Sequence, residues 1–329
     1  MNIFIYSPNW IGDAVMAIPF IEELKNIHPN SKIHVFCRKW VAGIYENNPC
    51  VDEIIPFSDE EVKGLKNMLN IGSFLRKRKF ALAYTLTESL RSAFVLWLSR
   101  SPVRYGYRAQ MRSMFLTEVV SNPVSNIHRS LKYVNLIKQE ADKCLPPRLY
   151  LTKTEKDWAE EELETIGYTD PIAIFPFSVA ESRTFPHKTL RKWLRSEKEN
   201  YLIFGSKNDA FDAQKLVPSF LKISIKSLCG KYSFRQSIAL ISKCKYALAA
   251  DSGLGHVSSA LSVPTISIFG AGLSSVTAPI GKKTNIINKN VLCSPCRKNT
   301  CHNYDNPLIC IREISNKDIE IAINNIINP

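Results

Sequence analysis

The chain has 329 residues, 45% of them hydrophobic and 22% charged, which excludes disordered and fibrous classes and leaves room for two domains of ordinary size. Its formal charge of +13 points to an anionic partner: nucleic acid, an anionic bilayer surface or a phosphorylated substrate. No apolar run reaches the roughly 18 residues of a membrane span, and the start lacks a charged n-region followed by an apolar h-region, so the expectation is a cytosolic protein.

The first element is a strand. In "NIFIYSPNWIGDAV" the run Ile3 to Tyr6 is short and apolar, Ser7-Pro8 end it, Gly12 is expected to serve the turn, and a helical pattern runs from Asp13 to His28. A nucleotide-binding turn would carry several glycines that bring backbone amides to a phosphate. This turn carries one glycine and then an acid, Asp13, which reads either as a helix N-cap or as a carboxylate presented to a ligand.

Further along, "KIHVFC", "EIIPF" and "ALAYTL" are strand-like, and "PIAIFPF", "NYLIFGS", "YALAAD" and "TISIFG" repeat the theme in the second half, with helical patterns between. Such alternation is the signature of parallel strand-helix-strand units. The expected fold class is α/β, with two doubly wound, Rossmann-like domains over 1–150 and 151–329. The join falls near Leu145 to Thr154, "LPPRLYLTKT", and "EKDWAEEELETIGY" after it reads as a helix.

The basic charge is uneven. Nine basic residues (Arg76, Lys77, Arg78, Lys79, Arg91, Arg100, Arg104, Arg108, Arg112) stand against one acid, Glu88, between Arg76 and Arg112. Either this is a solvated basic face or it meets an anion. The intervening "SAFVLWLS" reads as a core helix rather than a base-stacking platform.

Nine cysteines is an odd number, and Cys37, Cys50, Cys144, Cys229 and Cys244 are scattered singly, as suits a reducing compartment. The other four, Cys293, Cys296, Cys301 and Cys310, form a Cys-x2-Cys-x4-Cys-x8-Cys array with His302 beside the third. The first pair has the spacing of a tetrahedral zinc site, whereas the remaining spacings are not those of a common finger. Structural zinc and unligated or redox-active thiols are both compatible with it.

The most specific stretch is "ALAADSGLGHVSSALSVPTISIFGAG", Ala247 to Gly272. A strand ends at Ala250, Asp251-Ser252-Gly253 turns, and a helix follows. The amides of Ser252, Gly253 and Leu254 would then sit at a helix N-terminus suited to a diphosphate, with His256 a turn further on. A capped helix with a core histidine is the plainer alternative.

At these residues the sequence resembles glycosyltransferase family 9, the ADP-heptose:lipopolysaccharide heptosyltransferases. The same holds for "SPNWIGDAVMA", "SLRSAFVLWLSRSPVRYGYRAQMRSMFL", "FPHKTLRKW" and "LIFGSKND", so the likeness spans nearly the whole chain in order and is stronger to the type II branch than to type I. It implies a GT-B fold, two facing Rossmann-like domains, with acceptor bound mainly by the first and nucleotide sugar by the second. It implies Asp13 as general base for an inverting displacement. Arg183, in the place of the family's lysine, would meet the diphosphate, with Lys188 a nearby substitute, and Phe185 replaces the family's tryptophan. Ser178, Asp251, Ser252, Gly253, Leu254 and His256 would bind the donor. Asp209 would bind the ribose, or is an exposed turn residue. Arg104, Arg108 and Arg112 become candidates for the acceptor. No cofactor is required on this reading, although Mg²⁺ bridging Asp251 and the diphosphate is an option.

The implied partners are ADP-heptose and an anionic Kdo-lipid A core, met by a peripheral protein at the cytosolic face of the inner membrane, and not nucleic acid. The rivals are heptosyltransferase I, a GT-B transferase with another acceptor, and a non-enzymatic protein binding nucleic acid or a membrane surface.

Overall fold

The computed structural model describes residues 1–123, 126–138, 143, 145–194, 199–217 and 224–327. Cys144, one of the scattered cysteines, lies outside them. The chain divides into two compact units, Met1–Tyr150 and Leu151–Pro329.

The first unit holds six strands: β1 (Asn2–Tyr6), β2 (Lys32–Arg38), β3 (Glu53–Phe57), β4 (Phe80–Thr85), β5 (Val103–Tyr107) and β6 (Glu118–Val120). All pair in parallel, in the order β3-β2-β1-β4-β5-β6. The second unit repeats this with β7 (Ile172–Phe175), β8 (Asn200–Ile203), β9 (Ser224–Ser227), β10 (Tyr246–Ala250), β11 (Thr265–Ile268) and β12 (Thr284–Ile287), in the order β12-β11-β10-β7-β8-β9. Each sheet starts in its middle, winds outward to one edge, then returns to build the other half. That is the doubly wound order, and it leaves one switch point per sheet: between β1 and β4, and between β7 and β10.

Burial follows from the apolar strands. β10 is buried along its whole length, and β1 is buried from Ile3 to Tyr6, as parallel strands covered on both faces must be. In the first unit the helices Leu65–Arg76 and Leu90–Leu98 close one core, where Phe36 stacks on Phe57 at 4.1 Å and Phe4 meets Phe80 at 5.0 Å. Each such ring, fully buried, contributes about 1.5–3 kcal/mol. In the second unit Phe185 lies edge-on to Trp193 at 5.2 Å, so this phenylalanine is a core residue.

The expected helix from Asp13 to His28 is two helices, Ile11–Met16 and Ile18–Ile27, broken at Ala17 because Pro19 starts a new first turn. Gly12 lies inside the first helix, and the turn belongs to Pro8, Asn9 and Trp10. After the join, Lys153–Ile166 starts on a reciprocal Thr152–Glu155 capping box and ends at Gly167, whose φ of 78° suits a residue without a side chain.

Candidate active site

Ligands of doubly wound sheets sit outside the carboxyl ends of the strands at the switch point. In the second unit two segments reach that place, the loop Pro176–Phe185 after β7 and the turn Asp251–Ser252 after β10. Ser178 ties them together, its hydroxyl donating to the Asp251 carbonyl at 3.2 Å. The loop is braced by Phe185 N–H on Pro176 O at 2.8 Å and by Ser182, whose N–H and hydroxyl donate to Asn299 O and Lys298 O at 2.9 and 2.5 Å.

Arg183 projects from this loop to Asp251, with Nη1 3.2 Å from Oδ2. The alignment is poor for a hydrogen bond, so this is an ion pair in which Oδ2 still lacks a donor. The Asp251 carboxyl is 6% exposed. Burial pushes its pKa up to about 6 and Arg183 only partly offsets this. Two further buried polar atoms here have no partner among the described residues, Arg183 Nε and Ser252 Oγ. Ser252 is the N-cap of the helix Gly253–Ala260, yet its side chain does not cap it. Orphaned buried donors cost free energy unless something meets them. A guanidinium N–H, a hydroxyl and the free amides of a helix start together make a site for an anion of phosphate type.

Two glycines shape this site. A Cβ on Gly272, in the loop after β11, would lie 1.9 Å from Asp251 Oδ2, so the carboxylate rests where any other residue would place its side chain. Gly255 lets the helix pack on β10, where an added Cβ would stand 3.0 Å from that of Ala249.

In the first unit Asp13 lies at the matching switch point. It is not an N-cap: Trp10 holds that position, and Asp13 is in the first turn, half-buried, where the helix dipole favours a carboxylate. Around it are Tyr45, Arg129 and Tyr133. Burial opposes the charge on Arg129, but Tyr133 and Asp13 outweigh it and raise its pKa. Burial, and after it Asp13, raises that of Tyr133. Asp13 thus has a cationic neighbour and a partly exposed side chain in a turn.

The remaining candidates divide. His256 is buried in the second turn of its helix, while Gly253 and Leu254 are half-buried at its start. Asp209 Oδ2 accepts from Ser206 N–H and hydroxyl at 2.7 and 2.6 Å, a local cap that occupies one of its oxygens. Lys188 is exposed on the helix His187–Trp193. The acceptor arginines need correcting. Arg112 is fully buried, and its guanidinium donates to the Tyr107, Thr87 and Ser89 carbonyls. Arg104 donates to Phe115 O and Ser101 O at 2.8 and 2.5 Å. Both guanidinium groups are spent on backbone carbonyls, that of Arg112 fully buried and that of Arg104 half-buried, and of the three only Arg108 stands exposed. Cys293, Cys296, Cys301 and Cys310 line one cavity of about 300 Å³ with His302, but among the described residues no three His, Cys, Asp or Glu side chains converge closely enough to hold a metal ion.

Gly272, Ser182 and Arg129 were not singled out from sequence. The Gly-Ala-Gly after β11 was the available signal for the first. The other two carry none, because their roles arise from segments distant along the chain.

The model of glycosyltransferase family 9 (heptosyltransferase) matches residues 68–305. The chain belongs to that family. Asp13 precedes the matched span. Lipopolysaccharide heptosyltransferase 2 of Escherichia coli K12 is 26% identical to the chain over 305 residues, covering 87% of this chain and 88% of its own length. Among solved structures, that of E. coli ADP-heptose lps heptosyltransferase II superposes with a TM-score of 0.83 at 22% identity, covering 99% of this chain and 98% of that one. A family 9 glycosyltransferase of Veillonella parvula gives 0.87 at 18% identity, covering 100% and 98%. This family 9 chain is therefore a glycosyltransferase with the two Rossmann-like units of the GT-B class.

Proposed function

We propose that the chain transfers heptose from ADP-heptose to the heptosyl-Kdo-lipid A inner core of lipopolysaccharide, as a type II heptosyltransferase. The observation that carries this reading is the pair of unpartnered donors, Arg183 Nε and Ser252 Oγ, beside a helix N-terminus at the switch point of the second unit. They match the needs of a nucleoside diphosphate, and one similar solved structure is named an ADP-heptose lps heptosyltransferase II.

In this mechanism Asp13 accepts the proton of an acceptor hydroxyl as that oxygen bonds to the anomeric carbon. The bond from that carbon to the diphosphate oxygen breaks on the opposite face, which inverts the centre and releases ADP. Negative charge grows on the departing diphosphate. Arg183, Ser252 and the amides of Gly253 and Leu254 meet it there, and such fixed donors lower the barrier because they need no reorganisation. No metal is a required component on this reading, since Arg183 supplies the cation, and Mg²⁺ would be an addition at Asp251. The protein acts at the cytosolic face of the inner membrane; among the described residues no helix is long and apolar enough to cross a membrane.

The test is acceptor-dependent ADP release. Monoheptosyl-Kdo-lipid A should support release and Kdo-lipid A lacking heptose should not. Release with the second acceptor alone would reassign the chain to type I, and release with neither would refute the donor or acceptor.

A further inference from the structure

The helix Leu90–Leu98 buries Ala93, Val95, Leu96 and Leu98 against the first sheet, and its other side is not the polar face of an ordinary surface helix. Leu90 and Trp97 are each 46% exposed, and the neighbouring turn adds Met111 at 87% and Met114 at 72%. Phe94, Trp97 and Phe115 form one cluster, and the short helix Arg112–Phe115, which carries Met114 and follows Met111, packs against the helix Leu90–Leu98. Phe94 stacks on Trp97 at 5.6 Å, Phe115 packs on both at 5.2 and 5.9 Å, and Leu90 N–H is bound by Gln110 Oε1 at 3.1 Å, which draws Met111 towards the helix start. Connected apolar exposure of this kind marks an interaction surface.

Its rim is cationic. Arg91, Arg100 and Arg108 are exposed, and among the described residues none makes an ion pair. Glu88, the acid of this stretch, is held by Lys132 at 2.6 Å. Tryptophan and methionine at the centre with unpaired arginines around them suit the boundary between acyl chains and anionic headgroups: the rings and thioethers enter the apolar layer, and the arginines reach lipid phosphates. A second copy seated on the same surface would set these cations against their own equivalents, a like-charge arrangement that disfavours pairing.

We propose that this surface of the first unit, centred on Trp97, Met111 and Met114, docks on an anionic phospholipid bilayer. The proposal rests on the reading above that the acceptor is a lipid-borne saccharide, and it names the part of the chain that reaches the lipid.

Sedimentation of the full-length chain with vesicles of phosphatidylcholine and phosphatidylglycerol tests it, with pure phosphatidylcholine vesicles as control. The native chain should bind the anionic vesicles and release at high salt. Met111→Ser with Met114→Ser should weaken binding at least about tenfold, since each methylene withdrawn from lipid costs about 0.8 kcal/mol and each substitution removes a methylene and the thioether methyl. Arg91→Gln with Arg100→Gln should weaken it about fivefold per arginine at low salt and flatten the salt dependence. Both variants should keep native transfer to a delipidated, water-soluble acceptor. Unchanged vesicle binding in both variants would overturn the proposal. So would a native chain that ignores vesicles while transferring to the soluble acceptor, a result that leaves the proposed function standing. Vesicle binding without transfer would do the reverse. A concentration-dependent dimer abolished by the methionine variant would assign the surface to a second copy instead.

Discussion

Asp251 carries a cost. Its carboxyl has a pKa of about 6 in the folded chain against 3.8 for the free side chain, so the folded state holds the proton more tightly. Stability is greatest below the unfolded value and falls as pH rises through about 6, a loss of about 3 kcal/mol. Asp251→Asn should therefore melt several degrees higher than the native chain at pH 7.5 and no higher at pH 4, measured by calorimetry on the ligand-free protein. A charge kept at such expense is better explained by ligand binding than by folding. The Asp-Ser-Gly-Leu-x-His segment could be read as a helix start carrying an acid and a hydroxyl, whereas Arg183 was reached only through the resemblance, and the fold sets the two side by side. The acceptor arginines were less legible. Arg104, Arg108 and Arg112 are alike in sequence, yet two are spent on backbone carbonyls and one is exposed, a difference that depends on which carbonyls the fold leaves unpaired.

At the level of elements, strands with continuous apolar runs were readable, β1, β7, β10 and β11 above all. β5, β6, β9 and β12 were not, because "SIKS" and the three-residue Glu118–Val120 lie at or near sheet edges and need little apolar character. The switch points were legible only through the order of the strands, which no single segment encodes. The loop after β11 was missed for a similar reason, as Gly272 makes sense only once Asp251 stands against it. Gly272→Ala puts a methyl where that carboxylate now lies, and the collision is too deep for a small shift to relieve. The expected result is a loss of ADP affinity of at least about tenfold, by titration calorimetry, with cooperative unfolding retained. The estimate assumes that displacing one charged contact costs about 1.5–3 kcal/mol.

The whole chain is one plan used twice, six parallel strands wound outward from the middle in each unit, with Asp13 at the first switch point and Arg183 and Asp251 at the second. Composition and alternation were enough to read two doubly wound domains, and the motifs were enough to reach the family. The surface around Trp97 was not legible as such, since "SAFVLWLS" looks like core until packing separates its two sides. The central claim is that Asp13 takes the acceptor proton while the second unit holds the donor. Steady-state ADP release by Asp13→Asn, with ADP affinity measured in parallel, tests it most directly. The account predicts a rate lower by about 10²–10⁴-fold with ADP affinity within about twofold of native. A variant that releases ADP at the native rate would contradict it, and would leave Asp13 as no more than a first-turn carboxylate favoured by its helix.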